Sequence, residues 1–536
     1  MKKSILSLSA AVALGGLGFI STAGAVIVFD PLSGDAGAAA SGAKLYQHVA
    51  GTGHILLTPY FSAQGTNATL INIVNTDTVN GKAVKVRFRG ASNSDDVMDF
   101  TLLMSPGDVW SGQISRDANG LAQIAHSSDE TTCTLPDASQ WPGEFNTLRL
   151  PSYLSGDTLN SLTREGYVEV LNMADIVPDS AANSVYTAIK HVANKAPCTS
   201  SVLQPLLSQT VLTSAQALAS YDLAAPTGGL MGSWAVLNQD QFGVFSGAQT
   251  AMIVTTDTVI GANSTVNSAA GNIMFFPQIE VAYGAVAAGS TFTYTIGDVT
   301  ADPLLTGIGA TPTSFVNPLW FDLPDLSTPI LNVTNVTPAV TEPLPVYQAD
   351  SLTATMAKPN VMNEWISATG SVPFDTDWVV SQPTRRYHVA VNYGGSAAAA
   401  TLVSRASAFT SYSSATLSNT NYGPMACLPF GIAAMNREES GTSLGASFSP
   451  GRTTSTCGEV FTIQFSPTSV LAAAITTTSV NSIVTSLGGA GWAQLSAPAA
   501  AAQGVPMLGY SAIQFSNETT GAVYNETLPH RWNSGN

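Results

Sequence analysis

Asn80-Gly81-Lys82-Ala83-Val84-Lys85-Val86-Arg87-Phe88-Arg89-Gly90 is the stretch that decides the fold class. From Val84 onward apolar and basic residues alternate strictly. As a strand, it places Val84, Val86 and Phe88 on one face and Lys85, Arg87 and Arg89 on the other. Asn-Gly ahead of such a run signals a hairpin, because the favoured two-residue turn needs positive φ at its central positions. The basic stripe has two readings, a ligand face or the solvated side of a half-buried sheet. The second is the expectation.

The neighbouring sequence repeats the signal. Residues 55–61 are apolar and β-prone, with Pro59 hinting at an edge. Residues 70–75, 100–104 and, after the turn Pro106-Gly107-Asp108, 109–114 complete a set of short strands. Strands at this spacing predict an antiparallel sandwich. Val185, Ala188, Ile189 and Val192 recur at helical spacing behind Asn183 or Ser184 as a cap, and Pro197 ends the run. A second helix is expected over residues 208–220. Further strands are expected at 251–255, 273–283, 291–296, 378–380, 387–393, 402–410, 460–465 and 511–515. The expected fold is mainly β: antiparallel β-sandwich domains with a few short helices. The expected division is a signal peptide at 1–25, an N-terminal β-sandwich-like domain at 26–200, a middle β domain at 201–350 and a C-terminal β-rich domain at 351–536. Ala224-Ala225-Pro226-Thr227-Gly228-Gly229 marks a boundary and the Pro-rich residues 329–345 a linker or edge.

Met1-Lys2-Lys3, a mostly apolar run over residues 5–20 and Ala23-Gly24-Ala25 have the form of a secretory signal peptide. Cleavage before Val26 would leave 511 residues (536 minus 25) and move the formal charge from −16 to −18. No later apolar run reaches the roughly 18 residues of a membrane helix. The polar tail at 531–536 lacks a closing aromatic residue, which argues against an outer-membrane barrel. Cys133, Cys198, Cys427 and Cys457 are an even set in an oxidising compartment, so two disulfides are expected. Three pairings are open, and proximity favours Cys133 with Cys198 and Cys427 with Cys457.

Charged residues are 10% of the chain and hydrophobic residues 45%, so the chain is neither disordered nor richly charged. The 162 residues from Ala196 to Ala357 hold no Lys, Arg or His, but ten carboxylates. Side-chain charge there holds no phosphate, nucleic acid or anionic lipid. Gly441-Thr442-Ser443-Leu444-Gly445 matches a nucleophile elbow. Its flanks lack the required strand and helix, and a flexible loop is expected. His48, His54, His126, His191, His388 and His530 share no common metal-ligand spacing, and His54 and His388 are expected to be structural. Acidic clusters occur at Asp95, Asp96 and Asp99, at Asp322 and Asp325, and at Asp375 and Asp377. Such groups serve glycoside hydrolysis or bind calcium, and solvated turns are the default. Asp117-Ala118-Asn119-Gly120 resembles a fragment of a calcium loop. Calcium is the one possible ligand kept open. No catalytic or cofactor-binding residue is assigned.

Two sets of segments carry a family resemblance. One is Ala83-Val84-Lys85-Val86-Arg87-Phe88-Arg89-Gly90 with Ser105-Pro106-Gly107-Asp108-Val109-Trp110. The other is Thr376-Asp377-Trp378-Val379-Val380 with Pro383-Thr384-Arg385-Arg386-Tyr387. Together they resemble a group of exported cell-surface proteins of Gram-negative bacteria, over most of the mature chain. The resemblance implies a surface location and carries no catalytic residue across. The function expected is a non-enzymatic structural or assembling surface protein, similar in composition to surface-layer subunits. The expected partners are other copies or cell-envelope components, with no nucleic acid and no membrane-spanning segment. A surface adhesin or glycan-binding module is the alternative, and a secreted hydrolase ranks third.

Overall fold

The computed structural model describes residues 44–208, 221–255, 292–293, 314–315 and 352–533, apart from residues 136, 138, 140, 148–149, 225, 241–242, 369–372, 405–408, 445–453, 499–503 and 518–519. The chain is mainly β, built from antiparallel sheets with a few short helices. The expectations at 208–220 (helix) and 273–283 (strand), and the pair Asp322 and Asp325, fall wholly or almost wholly outside the described residues.

Two sheets pack in the first half. One runs in the order β1 (Lys44–Gln47), β14 (Thr250–Thr255), β2 (Ile55–Ser62), β10 (Glu165–Ile176), β4 (Gly81–Gly90), β5 (Asp96–Met104) and β8 (Cys133–Leu135). β11 (Leu223–Ala224) joins β10 beside it. The other runs β13 (Gly243–Ala248), β12 (Leu230–Asn238), β3 (Asn67–Asn75), β6 (Val109–Arg116), β7 (Ala122–His126) and β9 (Gly143–Glu144). A short pair, β15 (Phe292–Thr293) with β16 (Ser314–Phe315), stands apart.

The second half repeats the two-sheet plan. One sheet is β18 (Asn360–Ile366), β28 (Ala490–Ser496), β23 (Gly423–Asn436) and β22 (Thr416–Thr420), with β24 (Gly441–Leu444) and β25 (Thr454–Cys457) also on β23. Its partner is β27 (Thr477–Ser479), β26 (Val460–Gln464), β19 (Phe374–Ser381), β30 (Leu508–Asn517) and β31 (Ala522–Pro529). Two ribbons, β17 (Ala357–Lys358) with β29 (Val505–Pro506) and β20 (Val389–Asn392) with β21 (Thr401–Ser404), complete the described strands. The helices are single turns or little more. In the one over Val185–Ile189, Ser184 caps the N-terminus by accepting from the Thr187 amide.

The alternation read in β4 is realised on one face only. Val84, Val86 and Phe88 enter a core shared with Ile71, Ile73, Trp110 and Ile114 of the facing sheet. The opposite face is buried too, and every residue of β2, β4, β5 and β10 is buried. The first sheet is therefore a middle layer, covered on both sides. This corrects the expectation of a solvated basic face. β10, the central strand, was not anticipated. A strand buried on both faces has no reason to alternate, and Glu165, Glu169 and Asp175 interrupt its apolar residues. Gly166 marks its close crossing with β4: a Cβ there would lie 1.8 Å from the Arg89 carbonyl oxygen.

The same core continues into the second half. Val379, Met425, Val460, Val470, Leu471, Ile475, Tyr510 and Ala512 belong to it. β12, β13 and β14 lie within residues 201–350 by number, yet they pair into the two N-terminal sheets.

Cys133 is joined to Cys198 and Cys427 to Cys457, and no described cysteine is free. The second bridge links directly opposed residues of β23 and β25. Its closed loop spans 30 residues of sequence separation. On the chain-entropy model such a loop is worth roughly 3–4 kcal/mol. Replacing Cys427 and Cys457 together by Ser is expected to lower the unfolding free energy by about that much. Chemical denaturation of both proteins measures it, and an unchanged midpoint would show that the bridge constrains nothing.

Candidate functional site

The basic stripe of β4 meets the second half of the chain at a buried ionic junction. Five cationic side chains (Lys85, Arg87, Arg89, Arg385, Arg386) and five carboxylates (Asp95, Asp96, Asp99, Glu169, Glu459) gather there, all buried. Lys85 Nζ lies 2.8 Å from Asp99 Oδ1 on the adjacent strand. Glu169, on β10, takes two guanidinium groups at one oxygen: Arg87 at 2.8 Å and Arg89 at 3.4 Å. Arg89 also donates to the Ser94 carbonyl at 3.0 Å. Burial works against the Arg89 charge, but Glu169, Tyr387 and Asp96 outweigh it and raise its pKa.

The 91–95 turn between β4 and β5 is a plug rather than a solvent loop. Ala91, Ser92, Asn93, Ser94 and Asp95 are all buried. Ala91 accepts backbone bonds from Glu459 at 2.8 Å and Val460 at 3.1 Å. Asn93 Nδ2 donates to the Pro424 carbonyl at 2.8 Å and to the Tyr393 hydroxyl at 3.1 Å. The Tyr393 hydroxyl in turn donates to Asp95. Arg385 donates to the Ala426 carbonyl at 2.6 Å and the Ser92 carbonyl at 3.2 Å, and its Nε lies 3.5 Å from Glu459. Tyr167 of β10 donates to the Pro383 carbonyl at 2.9 Å. Burial raises the pKa of Glu459, against the opposing pull of Arg385 and Arg386. Asp95, Asp96 and Asp99 are thus buried structural groups, Asp96 and Asp99 beside Arg89 and Lys85 and Asp95 on the Tyr393 hydroxyl, not the solvated turn expected. Two of the four resembling segments, 83–90 and 383–387, converge at this one place.

A second buried pair of carboxylates holds the 465–476 loop. Glu165 of β10 accepts from the Ala474 amide at 2.8 Å. Asp377 of β19 accepts from Ser469 Oγ at 2.6 Å and the Leu471 amide at 3.1 Å. Asn67 of β3 donates to the Leu471 carbonyl at 2.7 Å. One loop is therefore gripped from both halves. Burial pushes Glu165 up to about 7 and Asp377 up to about 6, in each case against the hydrogen bonds the loop supplies. Tyr60 and Tyr510 face the pair and are themselves raised by burial. Asp375 adds a smaller like-charge effect on Asp377. Asp377 is thus another residue expected in a solvated turn that lies in the core.

The remaining candidates stay apart. Gly441–Leu444 forms β24, with Ser443 opposite Ala433, so the motif lies on a strand and not in a flexible loop. The Asp117 carboxylate accepts from the Asn119 and Leu121 amides at 2.9 and 2.7 Å, closing its own turn. His388 bonds Thr353 at 2.8 Å and stacks on Tyr412. His530 Nε2 meets the Val379 carbonyl at 2.8 Å, and burial lowers it to about 4. Burial, with the Lys82 charge beside it, lowers His54 to about 3. Among the described residues no group of three or more His, Cys, Asp or Glu is placed to hold a metal ion. No described helix is long and apolar enough to cross a membrane, which leaves β-barrels untouched. Comparison with protein families, with curated proteins and with solved structures found no match.

Sequence reading found the basic stripe and most of its acidic partners but missed Glu165, Glu169 and Glu459. One signal was available: carboxylates inside strand-like apolar runs at 165–176 and 459–465.

Glu169→Gln removes the carboxylate that Arg87 and Arg89 share. The expected loss of stability is roughly 3–5 kcal/mol. Arg116→Ala, at an exposed pair with Asp157, is expected to cost less than about 1 kcal/mol. Urea unfolding of both variants checks the contrast, and equal losses would show that the junction is energetically ordinary.

Glu165 binds its proton more tightly folded than unfolded, where its pKa returns to near 4.5. Its contribution to stability is therefore complete at acid pH and declines as pH rises from about 4.5 to about 7. Glu165→Gln keeps an acceptor for the loop and removes the titration. The stability of the variant relative to wild type is expected to rise across that window, by on the order of 3 kcal/mol. Unfolding curves at several pH values read this difference, and a pH-independent difference would rule out titration of Glu165 in the core.

Proposed function

We propose that this chain is an exported cell-surface structural protein that assembles with its own kind. The placement of its cations carries this reading. Among the described residues eight Lys and Arg are buried: Lys82, Lys85, Arg87, Arg89, Arg164, Lys358, Arg385 and Arg386. In a protein that holds an anionic ligand, cations line the ligand surface. Here those eight are committed to internal joints, and the exposed cations among the described residues are Arg116, Lys190, Lys195, Arg437 and Arg531. Two disulfides add covalent constraint of the kind found in oxidising compartments. The signal-peptide form of residues 1–25 and the resemblance to exported surface proteins agree with this use. Material that stands outside a cell needs a fixed shape, and the buried joints specify one arrangement of the chain.

A second reading, a surface adhesin or glycan-binding module, draws on Trp492, Trp532 and Tyr524. These rings are 43%, 45% and 61% exposed, and flat aromatic faces of this kind suit stacking against sugar rings.

Electron microscopy of cell envelopes from the producing organism, with labelled antibody to this chain, tests the first reading. A periodic lattice or filament containing the chain is the expected image. Dispersed single particles that bind a glycan array would favour the second.

A further inference from the structure

The outward face of the second sheet in the first half is built without charge. β3, β12 and β13 contain no charged residue, and β6 has only Arg116, at its end. The register aligns two adjacent rows across one end of the face. Met231, Val74 and Val109 form an apolar row, with Met231 42% and Val109 51% exposed. Ser233, Asn72 and Ser111 form the next. This polar row satisfies itself: Ser111 Oγ donates to Asn72 Oδ1 at 2.7 Å, and Asn72 Nδ2 donates to Ser233 Oγ at 3.2 Å. Polar groups already bonded to one another lose little when water leaves. Charges appear at the rim, where Glu130 receives the Ser111 amide and Arg116 pairs with Asp157. An uncharged, partly apolar strand surface with charges only along its border has the composition of a protein interface.

We propose that this face docks on the same face of a second copy of the chain. The proposal deepens the assembling role above and rests on it. Net charge selects the occupant. Two copies, each with a formal charge of −16 as the full sequence and −18 without residues 1–25, repel wherever acidic surface meets acidic surface. A neutral face is where that repulsion is weakest. A two-fold contact also brings the patch against itself, so neutrality on one copy is neutrality on both. Size agrees. The four strands β13, β12, β3 and β6, of 6, 9, 9 and 8 residues and about 4.8 Å apart, make a patch of roughly 500 Å² on each copy. The total reaches the ~1,000 Å² that a specific interface requires.

The experiment is sedimentation velocity on the full mature chain over a concentration series, with the variants Val109→Glu and Asn72→Arg. Val109 is exposed, so its replacement leaves the core intact, and thermal melting confirms that each variant is folded. Wild type is expected to self-associate, and each charged variant to weaken that association by at least about tenfold. Association that persists unchanged in both folded variants would overturn the face and leave the assembling role standing. A wild type that stays monomeric at every concentration would overturn both. Oxidative labelling of Met231 separates the occupants. Protection that grows with protein concentration supports a second copy. Protection that is the same at all concentrations means another segment of the same chain covers the face, and overturns the proposal.

Discussion

Charge cannot be buried alone, and this constraint organises the molecule. An ion taken from water into a protein interior loses several kcal/mol of solvation unless a counter-charge and hydrogen bonds replace it. β4 brings Lys85, Arg87 and Arg89 into the interior, and β5 and β10 answer with Asp99 and Glu169. The 91–95 turn then needs partners for its own polar atoms. It finds them on residues 383–386, 393, 424–426 and 459–460, more than 280 positions away in sequence. The first sandwich therefore has its polar groups satisfied only when the second is in place.

The apolar core obeys the same logic. Residues from both halves share one cluster, and the 465–476 loop passes between Glu165 on one side and Asp377 on the other. Two carboxylates kept in the core at the expense of their ionisation are costly. Their hydrogen bonds specify where a loop of small residues must lie. Buried polar groups of this kind fix a unique arrangement more than they add stability. Such a design suits a rigid building block. It leaves the outward face of the β3 sheet as a place where neutral, self-bonded side chains can be covered cheaply.

β3 and β6 were legible because one face is core and the other is not, whereas β2 and β5, buried throughout, were legible as short β-prone runs. The expected strands at 55–61, 70–75, 100–104, 109–114, 251–255, 378–380, 460–465 and 511–515 all have counterparts in the described strands. β10 and β23 were missed because burial on both faces, or mixed partners along a long strand, erases the period of two. The expected strand at 387–393 begins instead as a single 3-10 turn at Arg385–Tyr387. That turn aims its two arginines into the junction.

Composition and pattern determined the β class, the even set of cysteines and the overall scarcity of cations, since these depend only on which residues are present and how they alternate. Only the tertiary structure decided which face of β4 meets water. The answer is neither. A basic stripe reads the same whether solvent or a second layer lies beyond it. The layer that covers it comes from residues hundreds of positions away, and no local pattern records their arrival.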